Sequence, residues 1–554
     1  MKLSKKYLLL MPVLAFLAIG LLLTRDNPQG LEQWMDLYAE QGHQNGIGAP
    51  FNGVMLVTKN DQVLLKKAYG FYDRDKHIPV AADSRFLIGS MTKQFTAMLV
   101  MQQVQAGRLA LDKTLSDYLP YFEPDKGRQI TLHQLLSHTS GLPHYQGLIK
   151  LGMSFNSFAS KVFTPRQYAQ LIGKTDLINQ PGTQYHYSSQ NYILLGAILE
   201  QVTGKSYAAL LKEHITEPLG LDNTGFADNT FAQQQVAQGY AFEEYGFFDS
   251  LFAPDVGLYT EAVLRDQSNT YSTGGVYSTV DDLFKWSQAI DRHQILSEPL
   301  TKRMLTPNLG GYCYGWMRNQ ETIIRRNPKV QLYTHGGGLP GFNSNIALYD
   351  DGIKIIYLSN VVRLNAIRLT QNIHLLANGI NPDDFKRDLL RPEIEDDYQT
   401  FIADGGMPAF RAYYDEISKR AGYQVLPAQM AYVEMITMFL TEQKIDEAVN
   451  MVDEMFANYT TPELRFVNQI GYLFHEQQYY AQAKTYFQRN VTNYPYAATV
   501  HDSMGDAFYG AKDYLQARDS YQRAVDIAKA NDDSRLDLLN ANLQLAIKQV
   551  AKYQ

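Results

Sequence analysis

Gly471 and Gly505 stand 34 residues apart, and so do Tyr480 and Tyr514, Ala483 and Ala517, and Phe487 and Tyr521. This fixed period is the strongest restriction the chain places on its own fold. A unit of that length holds two helices and a turn, with small residues where the helices touch. Pro462 and Pro495, 33 apart, close successive units. A weaker unit covers about 429–461, where Ile445 and Ala448 lie one residue off the period. A single helix pair cannot bury its apolar face alone, so the units are expected to stack. A plain helical bundle is the alternative.

The chain before this stretch follows other rules. Residues 31–380 alternate strand and helix patterns. Gly53 to Lys59 and Gln62 to Tyr72 flank Asn60-Asp61 and predict a hairpin. Asn345 to Tyr349 and Ile353 to Leu358 flank Asp350-Asp351-Gly352 and predict another, followed by a helix over about 365–376. Strands at both ends with helices between predict an α+β fold, one antiparallel sheet flanked by helices and joined to a helical part. Residues 381–426, with Asn381-Pro382, Arg391-Pro392 and Gly405-Gly406, read as a linker with short helices.

Composition enters mainly by exclusion. Hydrophobic residues make up 45% and charged residues 19%, a balance that supports a buried core. The net charge of −7 comes with no basic patch, so no nucleic-acid partner is expected. The lone Cys313 excludes an internal disulfide and a Cys-based metal cluster. It lies in 311–316, which reads as a strand, and a buried inert thiol is expected. Residues 1–30 read as a signal peptide or an uncleaved signal-anchor. Lys2, Lys5 and Lys6 precede an apolar run from Tyr7 to Leu23, about 25 Å long as a helix. Either form predicts export, to the periplasm or to the outer face of the cytoplasmic membrane, and the second gives an N-terminal membrane anchor.

The chemistry centres on Gly89-Ser90-Met91-Thr92-Lys93, where an apolar-spaced helix begins. Residues three apart share a helix face, so Ser90 and Lys93 can touch. A serine hydroxyl needs a base to become a nucleophile, and a lysine of lowered pKa can be that base. Free N–H groups at the helix start favour the negative oxygen of a tetrahedral intermediate. Alone, this spacing is common by chance. Two further segments accompany it: Tyr185-His186-Tyr187-Ser188-Ser189-Gln190-Asn191-Tyr192, and Thr334-His335-Gly336-Gly337-Gly338-Leu339-Pro340-Gly341.

In these three segments, taken in order, residues 31–380 resemble the class C β-lactamase-like serine hydrolases, which include β-lactamases, penicillin-binding-protein-like peptidases and esterases. Thr131 to Pro143 and Ser272 to Thr279 also look like that family. The resemblance implies a β-lactamase/transpeptidase-like fold and an acyl-enzyme reaction on a small-molecule or peptide acyl substrate, ester or D-amino-acid type. Ser90 would be the nucleophile, and Lys93 and Tyr187 would share the proton work. The N–H groups of Ser90 and Gly338 would form the oxyanion hole. Ser189, His335, Gly336 and Gly337 would line the substrate site, with His335 orienting Tyr187 or the substrate. Such enzymes also carry tetratricopeptide-like extensions, and the period of the last stretch is that of a tetratricopeptide array. Residues 427–554 are thus expected to recruit a protein partner.

Two positions depart from the family pattern. Ser189 stands where Asn is usual, and a Ser hydroxyl offers fewer hydrogen bonds than an amide. His335 stands where many relatives have Lys, and a neutral imidazole attracts a carboxylate less. The first weakens the expectation of amide recognition, efficient β-lactam turnover included, and the second argues against a dedicated β-lactamase more than against catalysis; three readings remain, an esterase or peptidase, a β-lactamase, and an inactive scaffold that binds a partner. Ser140 reads as a turn residue. His133, His138 and His144 match no metal-ligand pattern, and the glycine runs lack a phosphate-loop Lys. No metal or cofactor is expected.

Overall fold

The computed structural model describes residues 30–41, 51–144, 151, 161–227, 235–243, 258–262, 267–318, 330–361, 366–379, 407–421, 426–427, 429–459, 464–530 and 535–553. The expected signal or anchor lies outside these residues, as does the first half of the expected linker. Among the described residues no helix is long and apolar enough to cross a membrane.

Six antiparallel strands form the main sheet: β1 (Gly53–Lys59), β2 (Gln62–Tyr69), β3 (Met317–Arg318), β4 (Leu332–Leu339), β5 (Phe342–Tyr349) and β6 (Ile353–Ser359). Their order is β3-β4-β5-β6-β1-β2. Both expected hairpins are present. The two ends of the region meet where β1 pairs with β6, Val54 opposite Leu358 and Leu56 opposite Ile356. The first hairpin is shorter than its sequence pattern. Gly70 takes φ +72 and ends β2 at Tyr69, and Asn52 Oδ1 accepts the Phe71 N–H at 2.7 Å. Residues 71–73 then pair with 78–79 in a separate two-stranded sheet.

The alternation of strand side chains divides the core in two. Met55 and Val57 of β1 join Ile355 and Tyr357 of β6 on one face. Two helices from opposite ends of the region, α1 (Leu31–Gln41) and α5 (Ala366–Ala377), cover that face through Trp34, Met35, Leu369 and Ile373. Val54, Leu56, Ile346, Ile356 and Leu358 face the other way, into the larger core. That core holds α2 (Thr92–Gln105), α3 (Ser189–Thr203) and α4 (Val280–Asp291). Helix α2 runs through its centre with eleven of its residues buried, polar ones included. Buried polar groups need partners. Gln94 Oε1 accepts the Trp286 indole N–H at 3.0 Å, and Thr96 Oγ1 donates to the Ser272 carbonyl at 2.6 Å.

The expected strand at 311–316 is instead a tight loop. Residues 309–311 form a 3-10 turn, and the Cys313 N–H donates to the Trp316 carbonyl at 2.7 Å, so pairing with β4 begins only at Met317. Gly310, Gly311 and Gly315 all take positive φ, which a strand does not accommodate. Cys313 is buried, its thiol bonded to the Leu305 carbonyl, and burial pushes it up to about 12.

The C-terminal region is all helical: α6 (Met407–Ala421), α7 (Gln429–Thr441), α8 (Ile445–Asn458), α9 (Leu464–Glu476), α10 (Tyr480–Asn493), α11 (Ala498–Gly510), α12 (Tyr514–Ala530) and α13 (Leu536–Tyr553). The 34-residue period has a steric cause here. A Cβ at Gly471 of α9 would collide with the Phe487 ring of α10, and one at Gly505 of α11 with the Tyr521 ring of α12. Each glycine seats the aromatic of the next helix. Helix α6, within the expected linker, runs fifteen residues, and its Tyr414 is buried in the same cluster as Tyr432, Ile436 and Met451.

Candidate active site

Ser90 sits in a 3-10 turn, Gly89–Met91, that leads directly into α2. The helix thus starts at Ser90 in outline, with α-geometry from Thr92. The first N–H to bond back is that of Met91, to the Ile88 carbonyl at 3.2 Å, so the Ser90 N–H precedes the helical bonds. Lys93 lies one turn on and is completely buried. Its Nζ is 2.9 Å from Ser90 Oγ and 3.1 Å from the Thr273 carbonyl oxygen. Burial holds the Lys93 ammonium well below the usual lysine range. The carbonyl can only accept, so a neutral Lys93 amine donates one N–H to Thr273 and has its lone pair for the Ser90 O–H. The geometry of a hydroxyl beside a desolvated base is what proton abstraction needs.

Tyr187 comes from the loop before α3. Its ring centre lies 5.0 Å from Lys93 Nζ, and the Tyr192 ring flanks the same amine at 5.8 Å. Ser189 opens α3 and is buried, but neither hydrogen bond of Lys93 goes to it. The Thr273 main chain holds the amine from the other side. No side-chain pattern announces a carbonyl, so sequence reasoning missed this residue even though Ser272 to Thr279 stood out as a segment.

Strand β4 closes the site. Leu339 and Phe342 flank a two-residue turn at Pro340-Gly341, which makes Gly338, opposite Asn343, a non-hydrogen-bonded position. Its N–H therefore points away from β5. Gly338 stands against the Ser90 turn: a Cβ on Gly89, at φ +51, would be 2.8 Å from the Gly338 nitrogen. Gly337 faces the opposite way, and a Cβ there would collide with the Ile88 carbonyl oxygen. Ser344 Oγ donates to that same oxygen at 2.9 Å. The main chain of Gly338 thus lies beside the turn that carries Ser90, where the resemblance puts the two N–H groups of the oxyanion hole. Gly336 is exposed on the same side of the strand as Gly338.

His335 meets a different geometry from the one expected. It lies beside Tyr187, with ring centres 6.3 Å apart, but neither of its nitrogens reaches Tyr187 or open space. Nδ1 is 2.7 Å from the Gly336 carbonyl and must donate to it. In the neutral ring Nε2 then accepts the Tyr312 O–H at 3.0 Å. Burial, with Lys93 nearby, lowers the imidazole to about 3. His335 is a neutral, fully engaged side chain that braces β4. Tyr312, from the loop mistaken for a strand, is the partner that makes it so.

Ser140 lies in a buried turn, its Oγ donating to Asn191 Oδ1 at 2.6 Å. Among the described residues no group of three or more His, Cys, Asp or Glu side chains could hold a metal ion.

Comparison with known proteins identifies the family and the fold. The family model described as beta-lactamase matches residues 38–378. Protein flp of Staphylococcus aureus strain MW2 is 27% identical over 353 residues, 61% of this chain and 64% of that protein, so the match spans less than two-thirds of this relative's length. Penicillin-binding protein 4* of Bacillus subtilis strain 168 is 28% identical over 328 residues, 56% of this chain and 68% of that one. Among solved structures, FmtA of Staphylococcus aureus superposes with a TM-score of 0.50 at 25% identity, over 63% of this chain and 89% of that one. The octameric penicillin-binding protein homologue of Pyrococcus abyssi gives 0.52 at 24%, over 64% and 78%, and shares the fold. The D-amino acid amidase of Ochrobactrum anthropi SV3 does the same at 0.50 and 21%, over 64% and 99%.

Proposed function

The chain belongs to the beta-lactamase family of serine hydrolases, and from that premise we propose that it hydrolyses uncharged esters and amides, including D-amino-acid-type peptides, through an acyl-enzyme on Ser90. The observation that carries this reading is the 2.9 Å approach of Ser90 Oγ to the buried Lys93 amine. Lys93 takes the Ser90 proton as the oxygen attacks the acyl carbon. The carbonyl oxygen becomes negative and receives the N–H groups of Ser90 and Gly338. Tyr187, beside Lys93, gives its phenol proton to the leaving alkoxide or amine as its bond to the acyl carbon breaks, and takes up the proton held on Lys93, so that Lys93 is again a free base. Water then attacks the ester on Ser90, gives its proton to the same base, and releases the acid as Ser90 regains its hydrogen.

The preference for uncharged acyl groups rests on His335. A substrate carboxylate gains little from an imidazole that is neutral and has both nitrogens engaged. That disfavours β-lactams and peptides read by a free carboxylate. The D-amino acid amidase fold neighbour is in keeping with an amide substrate. We read the helices beyond residue 427 as a tetratricopeptide-like array that recruits a protein partner, and the enzyme as exported on the strength of its N-terminal charge and apolar pattern.

The test is labelling of the full chain with a fluorophosphonate, together with turnover of p-nitrophenyl esters and D-amino-acid amides. An adduct at Ser90, absent from Ser90→Ala, is the expected result. Absence of both adduct and turnover would leave the inactive scaffold as the function.

A further inference from the structure

The phenol of Tyr187 can pass a proton to a leaving group only if it is held in place. We infer that His138 is a positioning residue that clamps Tyr187 from both sides, a role that rests on the hydrolase reading above. His138 follows the short helix Leu132–Leu136 and takes φ +56, a conformation histidine adopts more readily than most residues. It is completely buried. Its main-chain carbonyl accepts the N–H of His186 at 2.8 Å. Its ring Nδ1 accepts the N–H of Ser188 at 3.1 Å. These are the amides on either side of Tyr187. Between them the imidazole lies against the phenol ring, with centres 4.4 Å apart.

The chemistry of the ring is fixed by these partners. A main-chain N–H can only donate, so Nδ1 carries a lone pair and the proton is on Nε2. Asn191 Nδ2, at 3.0 Å, donates to the same Nδ1. Two donors occupy Nδ1, and Nε2, which carries the proton, is buried with no hydrogen-bond partner among the described residues. The rings of Tyr312 at 4.5 Å, Tyr192 at 5.2 Å and Tyr185 at 6.4 Å also pack on the His138 ring. Burial and the nearby Lys93 keep the imidazole neutral. His138 thus acts through Tyr187 and touches no reacting atom.

The same loop fixes the strand of chain around it. Thr139 O accepts the Gly182 N–H at 2.7 Å, and Ser188 Oγ donates to the Pro143 carbonyl at 2.7 Å. The segment Thr139-Ser140-Gly141-Leu142-Pro143 is a cradle for the Tyr187 loop, and His138 is the member that reaches the tyrosine itself.

Two substitutions separate the clamp from general packing. His138→Asn tolerates the positive φ and offers an oxygen near the place of Nδ1. His138→Phe keeps a ring and removes the acceptor. On p-nitrophenyl acetate, His138→Phe should lower kcat by on the order of 10²-fold with KM nearly unchanged, as misplacement of a reacting group does. His138→Asn should recover most of that loss. A His138→Phe enzyme with wild-type kcat, or a His138→Asn enzyme as slow as His138→Phe, overturns the proposal. A measurement on the wild-type chain decides even if a variant fails to fold. Nitrogen NMR of histidine-labelled protein should show His138 unprotonated at Nδ1 and protonated at Nε2 across neutral pH. A proton on Nδ1 overturns the clamp whatever the activity, whereas a wild-type chain without hydrolysis counts against the hydrolase reading alone.

Discussion

At the scale of single residues, the site is built from groups kept neutral by burial. Lys93 is the chief case. Because desolvation lowers its pKa, the amine is free to act as a base at pH values where an exposed lysine is an ammonium. Activity should rise with pH as Lys93 loses its proton, with the midpoint of that rise below the ordinary lysine value of 10.5. The kcat/KM profile on a neutral ester measures it. A rise centred near 10.5 would contradict the buried geometry. Lys93→Met should lower kcat by about 10²–10⁴-fold, the usual weight of a general base. His335 has the matching effect on stability. Its pKa is lowered from 6.5 to about 3, so the unfolded chain takes up a proton that the native one refuses, and stability is lost as pH falls from 6.5 toward 3. Tyr312→Phe tests its brace directly. Without the phenol O–H, Nε2 is buried with no donor, at a cost of about 1–3 kcal/mol in a denaturant titration. Ser90, Lys93 and Tyr187 were legible because helix spacing and motif order carry them. Thr273 was not, since it contributes only a carbonyl. Nor was the state of His335, which depends on Tyr312, 23 residues earlier and in the loop before β3.

At the scale of elements, the oxyanion geometry is an agreement between one strand and one turn. Strand β4 lies close to the Ser90 turn because glycines occupy the contact. The resemblance put Gly338 at the oxyanion hole and both Gly336 and Gly337 at the substrate, whereas in the structure Gly337 is the close packing contact with the Ile88 carbonyl. Gly337→Ala places a methyl against the Ile88 carbonyl and must push β4 away from Ser90. Loss of one well-aimed oxyanion donor costs on the order of 10²–10³-fold in kcat. Gly338→Ala meets nothing within 4 Å and should retain turnover. Steady-state kinetics on the two variants decide the matter, and equal loss in both would mean that the strand is not held as described. The hairpins were read correctly from their turns because Asn60-Asp61 and Asp350-Asp351-Gly352 are local signals. The 311–316 strand was misread because alternating aromatics mimic a strand, whereas the positive φ of Gly310, Gly311 and Gly315 is visible only in the folded chain.

At the scale of the whole molecule, the apolar core is not continuous along the chain. The two faces of the sheet have their own clusters, and the C-terminal helices have others. The residues that form or support the candidate site, 89–93, 138, 187, 273, 312 and 335–338, all lie within the first set of elements. A chain ending at residue 380 should therefore keep the hydrolysis of small esters. The position of the cut matters, because Tyr414 of α6 is buried in one cluster with residues of α7 and α8. A chain ending at 426 would retain α6 with the apolar side that those helices cover laid open to water, and exposed apolar surface of that kind promotes association. The two truncations should differ in a specific way. The shorter one should be active and monodisperse on gel filtration. The longer one should be as active per folded molecule but prone to self-association. Loss of small-ester turnover in a folded chain ending at 380 would mean that the helical region completes the catalytic site, and the period of 34 residues would then serve the site's chemistry.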